Sequence, residues 1–425
     1  MDAVVKVLGR NLFSVVEMMA KGVSWVSIVS LPFFIDISEF GVIALLYSME
    51  IILCNLAVLG QDKYKLRNGP AVGDDPSYLI PLLFVLIISS PLLLWAYFGY
   101  KNSFSLIALL LVGTMFTVLN RVHVMEARVD NDVVTFSLHR LGALISRFGV
   151  FYLLLWQGID PALAFMLGFA VSGFLVAAKK FLLTLPKVFQ SPINGWPEST
   201  KSALYFGTPV AVHLLATSLL GNVDRFFINE YVGAHDVGVY AFSFMLASGV
   251  TFFYAALAVQ IESSIYKYSE DEKRREYYID QFGRYALCLV PVYCVALSVL
   301  AIVYEWVVGD FFEKTDLAVI LVGVASFSMN IVYLKSSYRL YALKRSASIS
   351  AVTVGACLVN VLLNWMLIPM FGIQAAAFGA FVSSTLLAMC MSMLSVSITG
   401  VKMPKVDIAI VLAAWLFSSG VLLFS

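Results

Sequence analysis

Charge is what this sequence has least of. Of its 425 residues only 13% are Asp, Glu, Lys or Arg, where soluble domains carry about 25%. Apolar residues make up 60%, against roughly 45–50% for a soluble domain, and mean hydropathy is +0.88. No water-soluble fold hides that much apolar surface, so the bilayer is the solvent. Five cysteines (Cys54, Cys288, Cys294, Cys357, Cys390) all sit in apolar stretches. Their spacing excludes a zinc or redox site and leaves small apolar packing residues. The first residues, MDAVVKVLGRN, lack the short apolar core and cleavage site of a signal peptide, so the first span is expected to stay. Paired carboxylates, a Ser-His-Asp set and metal-ligand spacings are also missing. The chain therefore reads as no enzyme, with no cofactor and no metal.

What is present is a succession of long apolar runs. Crossing the hydrocarbon core takes about 20 apolar residues. Thirteen stretches qualify: 11–35, 39–60, 77–100, 103–124, 133–156, 160–182, 202–231, 236–262, 281–308, 316–343, 346–370, 373–399 and 406–424. The last is short. The longest outer segment, roughly 309–315, has no room for a catalytic loop. With the N-terminus inside, the inner segments hold 21 Lys and Arg and the outer ones two, Lys101 and Lys314. One misplaced early span would abolish that bias, which follows the positive-inside rule. An N-terminus in the cytoplasm is the expectation.

The runs repeat. Phe40-Gly41 opens the second span and Val237-Gly238 the eighth, 197 residues later. Spans five and six, joined at 157–161, resemble eleven and twelve, joined at Phe371-Gly372. The expected fold class is all-α integral membrane: two homologous six-helix lobes around a central cavity, plus an extra C-terminal span. An even number of spans per half makes the repeats parallel, a known transporter plan. The expected division is 1–182 as N-lobe, the Pro-rich polar stretch 183–201 as cytoplasmic linker, 202–400 as C-lobe and 401–425 as the extra span.

Five cations remain inside spans: Lys21, Arg140, Arg147, Arg225 and Lys335. Intramembrane charges face a bundle interior or wet cavity by default, since exposing one to lipid costs about 2.5 kcal/mol or more. Arg140 and Arg147 stand seven residues apart, hence on one helix face and about 10 Å apart along the axis. Glu17 and Lys21 have the i,i+4 spacing of a helical ion pair. Glu50 lies mid-span with no sequence-local partner. It is either a coupling-ion site or a structural partner for Arg147 or Lys21. Asp224 and Arg225 are adjacent, about 100° apart on a helix, so either one faces a neighbouring helix or the outer turn and the other the cavity, or the pair is architectural and fixes the corner between spans seven and eight. Lys335 reads as a snorkelling residue. Ser326, Asn330, Tyr333 and Ser337 form one polar stripe, and Thr353, Cys357, Asn360 and Asn364 another. Each serves as interhelical glue or as cavity wall. Mid-depth cations outnumber acids, which suits an anionic passenger; Arg is the preferred donor to phosphate oxygens.

Three motifs carry a resemblance. Asp224-Arg225-Phe226-Phe227, then Tyr231-Val232-Gly233, then Gly238-Val239-Tyr240 is the first. VNVLLNWMLIPMFG at 359–372 is the second, with two Asn a turn apart before Ile-Pro and Gly. Glu39-Phe40-Gly41 leading to Leu59-Gly60 and Arg67 is a weaker third. In order and spacing the sequence resembles polysaccharide (O-antigen) flippases of the multidrug/oligosaccharidyl-lipid/polysaccharide exporter superfamily, over nearly its whole length.

The resemblance implies alternating access in a bacterial inner membrane. Its passenger is a polyprenyl-diphosphate-linked oligosaccharide for O-antigen, lipopolysaccharide or capsule synthesis. Membrane lipids and polysaccharide polymerase or ligase machinery are the implied partners, with no nucleic acid. Lys21, Arg140, Arg147 and Arg225 would then bind substrate in the cationic cavity. Glu17, Glu50 and Asp224 are the coupling-ion candidates for H+ or Na+, and Asn330, Tyr333, Asn360 and Asn364 the polar stripe of the cavity. The rivals are a peptidoglycan lipid-precursor flippase, a multidrug exporter of the same superfamily and, further off, a membrane polymerase or ligase. An exporter of amphiphilic cations calls for an acid-rich cavity.

Overall fold

The computed structural model describes residues 2–68, 76–99, 104–190, 198–268, 271–343, 345–401 and 404–424. All of its regular secondary structure is helical: α1 (Asp2–Val29), a 3-10 turn (Leu31–Phe33), α2 (Ile37–Ala57), α3 (Gln61–Asn68), α4 (Pro76–Gly99), α5 (Phe104–Val129), α6 (Val133–Trp156), α7 (Pro161–Gln190), α8 (Glu198–Leu220), α9 (Val223–Tyr231), α10 (Ala234–Ser248), α11 (Val250–Lys267), α12 (Glu272–Val308), α13 (Phe311–Lys314), α14 (Leu317–Ala342), α15 (Ser346–Thr399) and α16 (Lys405–Phe424). Among the described residues ten helices are long and apolar enough to cross a membrane.

The thirteen expected spans all fall on helices, with three refinements. Span seven breaks after Leu220 into α8 and α9, and span eight breaks at Gly249 into α10 and α11. Spans eleven and twelve run together as the 54 residues of α15. A continuous helix of that length would extend about 80 Å, far beyond a hydrocarbon core of about 30 Å. The chain reverses at Gly372, whose φ of 64° and ψ of −145° no helix contains. The polar stretch 183–201 is not a linker throughout. Residues 183–190 continue α7, 198–201 open α8, and 191–197 lie outside the described residues, as does Lys101. Helix starts follow ordinary capping chemistry. Asp132 accepts from the backbone N–H and hydroxyl of Thr135 at 2.9 and 2.6 Å, which holds its carboxyl below the usual range.

Contacts divide the chain into two units that depart from the sequence repeat. The first holds 1–24 and 46–218, the second 25–45 and 219–425. Specific packing explains both exchanges. The indole of Trp25 donates to the Met245 carbonyl at 3.0 Å, and Phe40 meets Phe242 edge to face, so 25–45 belongs with the second unit. Asn55 donates to Ser218 at 2.6 Å and Gln61 to the Ala203 carbonyl at 3.2 Å, so α8 belongs with the first. The first unit's core gathers Ala57, Tyr78, Leu82, Phe116, Leu119, Val122 and Ala177 from α2, α4, α5 and α7. In the second, Tyr254, Ile279, Phe282, Tyr293, Ile331 and Tyr338 join α11, α12 and α14. Leu340, Ile349, Ala356, Leu387 and Met391 join α14 to both halves of α15.

One contact in the second unit obeys the repeat. A Cβ on Gly41 would collide with the carbonyl oxygen of Ala234, and a Cβ on Gly238 with that of Ile37. Ile37 and Ala234 are themselves 197 residues apart, as are the two glycines. The starts of α2 and α10 therefore cross about a local two-fold, backbone against backbone, which is how small residues bring membrane helices together. Gly41→Val and Gly238→Val should each lower stability by about 1–3 kcal/mol, the usual penalty of overpacking. Gly142, with open space around its Cβ position, should accept Ala with no loss or a gain of up to about 1 kcal/mol. Thermal unfolding of the purified proteins measures all three.

Candidate functional site

A pocket of about 410 Å³ lies within the first unit. Its walls come from five helices, each contributing positions at helical spacing: Glu17, Ala20, Lys21 and Ser24 of α1; Tyr47, Glu50, Ile51 and Cys54 of α2; Thr117, Asn120 and Arg121 of α5; Arg140, Ala143, Leu144 and Arg147 of α6; Phe169, Ser172, Gly173 and Val176 of α7. The i, i+3, i+4, i+7 pattern means that each helix offers one stripe. The stripes mix charged, polar and small residues with apolar ones such as Ile51, Leu144, Phe169 and Val176.

Arg147 and Glu50 close a bidentate pair at 2.8 and 2.7 Å. Both side chains are about nine-tenths buried. Aromatic rings surround the guanidinium: Phe165 at 4.5 Å, Phe169 at 5.1 Å, Tyr47 at 5.7 Å and Phe148 at 5.9 Å from ring centroid to Cζ. Of the two roles open to Glu50, the geometry realises that of partner to Arg147. Arg140 makes the second bidentate pair, its Nε and Nη2 each 2.9 Å from the Glu17 carboxylate. Glu17 thus bonds across to α6 and not to Lys21 along its own helix. The reason is geometric: a planar fork satisfies both carboxylate oxygens, which a lone ammonium does not. Lys21 lines the pocket with no hydrogen bond or ion pair among the described residues.

This unit also holds charged and polar residues, at and beside the pocket, that were not singled out from the sequence. Arg121 donates to Asn55 at 2.6 Å and to the buried Asp62 at 3.1 Å. His139 bonds Asn120 at 2.8 Å and meets His123 edge to face. Glu126 accepts from Tyr78, His123 and Lys180 at 2.5, 3.0 and 2.8 Å, with Lys65 at 3.5 Å. Arg121 and Glu126 stand near the end of a span, where charge is ordinary, so the i, i+3, i+4 placement of Thr117, Asn120 and Arg121 is the one signal that could have marked a wall.

The remaining expected site residues lie in the second unit and line no part of this pocket. Asp224 and Arg225 are both buried at the start of α9. Tyr240 of α10 donates its hydroxyl to Asp224, which also accepts the Arg225 backbone N–H at 2.9 Å. The Arg225 guanidinium donates to Asn222 at 3.2 Å. The motif ties α9 to α10. In the polar stripes, Asn360 donates to Ser383 at 3.0 Å, joining the two halves of α15, and accepts from Asn364 of its own half at 3.1 Å. Ser326 reaches Ser384 at 3.0 Å. Tyr333 packs against the α14–α15 core, and Asn330 is half-buried. These stripes bond helix to helix. Lys335 does not snorkel. It is buried and bonds Asp407 of α16 at 2.8 and 3.1 Å, with Asp280 at 3.5 Å. A buried ammonium with a carboxylate in reach pairs with it sooner than stretch to the surface.

With this geometry in view, similarity to known proteins is informative chiefly at the level of fold. No family model matches the chain, and no curated protein does. Solved structures do. A lipid II flippase, MurJ, in an inward closed conformation aligns at 14% identity with TM-score 0.66, covering 97% of this chain and 93% of that one. An inward-facing multidrug resistance MATE transporter of the MOP superfamily aligns at 15% identity and TM-score 0.62, over 91% of this chain and 93% of its own. A MOP-superfamily transporter from Pyrococcus furiosus, described as having a binding pocket of reverse polarity that suggests a different function, aligns at 15% identity and TM-score 0.52 over the same shares. The chain has the fold of the MOP transporters. The expected all-helical membrane fold is borne out, and a multi-pass membrane protein with the fold of transporters is what the structure presents.

The buried pair generates a test. Glu50→Gln strands the Arg147 charge and should destabilise the protein by about 3–5 kcal/mol. The apolar double substitution Glu50→Leu with Arg147→Met should recover most of that loss. Chemical unfolding of the three purified proteins decides it.

Proposed function

We propose that this protein is a flippase that carries a polyprenyl-diphosphate-linked oligosaccharide across a bacterial inner membrane, for surface-polysaccharide synthesis of the O-antigen or capsule type. The observation that carries the reading is the polarity of the first unit's pocket. Four cations line it, Lys21, Arg121, Arg140 and Arg147, against two carboxylates, Glu17 and Glu50. A diphosphate leaving water needs fixed positive charge around it, because an unpaired charge in a low-dielectric site is strongly disfavoured. The lipid tail needs no such provision, since it stays in hydrocarbon. The fold shared with a lipid II flippase supports a lipid-linked passenger, and the sequence motifs point to a polysaccharide repeat unit.

Within this reading Lys21 and Arg140 receive the anionic headgroup and Arg147, held by Glu50, shapes the wall. Arg225 and Asp224 hold the α9–α10 corner, and the Asn360–Asn364 stripe holds α15. Of the three coupling-ion candidates, Glu17 is the one left open to H+ or Na+, since Glu50 is held by Arg147 and Asp224 by Tyr240. Alternating access supplies the movement, with the N-terminus in the cytoplasm. Polymerase or ligase machinery would consume the flipped product.

A multidrug exporter shares the fold, but a carrier of amphiphilic cations requires a pocket with the opposite charge balance. A peptidoglycan-precursor flippase requires the same balance, and the identity of the glycan separates the two. Cells deleted for the gene should accumulate a polyprenyl-linked oligosaccharide on the cytoplasmic face and lose the matching surface polymer. Lys21→Gln should fail to restore the polymer while reaching normal abundance in the membrane. Intact surface polymer in the deletion strain, with new sensitivity to cationic drugs, would sink the proposal.

A further inference from the structure

Granting an anionic cargo in the first unit's pocket, on which this inference rests, we infer that Glu17 is a built-in placeholder: its carboxylate occupies on Arg140 the position that a cargo phosphate takes. The four pocket cations are not equally available. Arg147 is held by both oxygens of Glu50 and flanked by the rings of Phe165 and Phe169. Arg121 has its terminal nitrogens engaged by Asn55 and Asp62. Arg140 and Lys21 remain.

The Arg140–Glu17 pair differs from the Arg147–Glu50 pair in one respect that matters for exchange. Its side chains keep 34% and 21% of their surface exposed, against 10% and 9% for the buried pair. The first pair is thus about two to three times as exposed to the pocket and its solutes as the second. Glu17 offers the Arg140 fork two oxygens in one plane, at 2.9 Å each. A phosphate presents the same pair of acceptors to a guanidinium, so the two are interchangeable at Arg140.

Lys21 makes the exchange favourable. It stands one turn beyond Glu17 on α1 and lines the same pocket as Glu17 and Arg140, yet it makes no ion pair among the described residues. When Glu17 holds Arg140, the Lys21 ammonium faces a position with no second oxygen for it. A phosphate there bonds Arg140 and Lys21 together, which Glu17 from its place on α1 does not. The empty pocket thereby keeps its arginine paired, and only a ligand with more acceptor oxygens than a carboxylate displaces the placeholder. Neutral and cationic solutes are refused without a gate.

Inorganic pyrophosphate serves as the probe, titrated calorimetrically into the purified full-length protein. Glu17→Gln, which removes the competitor, should bind it about tenfold more tightly than wild type, the scale of one released charge-assisted contact. Lys21→Gln and Arg140→Gln should each bind it about tenfold more weakly, and Lys21→Arg should bind as wild type does. A second measurement needs no variant. In the wild-type protein, saturating pyrophosphate should raise carbodiimide labelling of Glu17, read by peptide mass spectrometry. If wild type binds pyrophosphate but Glu17→Gln binds it no more tightly and Glu17 labelling does not rise, the placeholder is overturned while the anionic cargo stands. If neither wild type nor Glu17→Gln binds pyrophosphate, the anionic-cargo reading itself falls.

Discussion

Three cations taken out of water in this protein each find a carboxylate on a distant helix, and that pairing organises the helices. Arg147 finds Glu50, Arg140 finds Glu17 and Lys335 finds Asp407, across 97, 123 and 72 residues of chain. Each pair joins two helices that are far apart in sequence. Apolar side chains pack acceptably over a range of helix rotations, whereas a bidentate guanidinium–carboxylate contact closes in one geometry. Such pairs add little to net stability compared with apolar residues of the same volume. Their effect is to make one arrangement of α1, α2 and α6, or of α14 and α16, distinguishable from its neighbours.

The same constraint separates structure from function within one pocket. A pair sealed among rings, as Arg147 and Glu50 are, is committed to the fold. A pair left partly wet, as Arg140 and Glu17 are, stays exchangeable because solvent and solutes compete for it. Polarity alone does not tell the two apart; depth does. The hydroxyl and amide contacts of α14 and α15 belong to the first kind. Their partners lie on neighbouring helix turns, and they replace the hydrophobic driving force that is missing between helices in lipid.

Much of this was legible in the residues. Apolar runs of spanning length located the long helices, because hydrocarbon tolerates only backbone whose polar groups are bonded internally; the short α3 and α13 fall outside those runs. The seven-residue spacing of Arg140 and Arg147 placed both on one wall, as observed. The i,i+4 spacing of Glu17 and Lys21 placed both on one face of α1, also as observed, but suggested the wrong partner. Local spacing knows nothing of a better-shaped acceptor on another helix. Lys335 looked able to reach the surface because its distance from the helix end is visible in sequence and Asp407, on the extra C-terminal helix, is not visibly its neighbour. Arg225 looked like a cavity residue because its charge is evident and the Asn222 side-chain amide oxygen that accepts from it is not.

Solvent and periodicity were therefore determined by the sequence alone: an all-helical membrane chain, its repeat of 197 residues, and the helix face on which each buried charge stands. Those are properties of single helices, and a helix's length, face and hydropathy follow from residues within a few turns. Partner choice was left to the tertiary structure: which carboxylate meets which cation, which of the paired groups stays wet, and that α8 and the start of α2 each pack away from their own repeat. These depend on how distant helices cross, and backbone contacts such as those of Gly41 with Ala234 and Gly238 with Ile37 set those crossings.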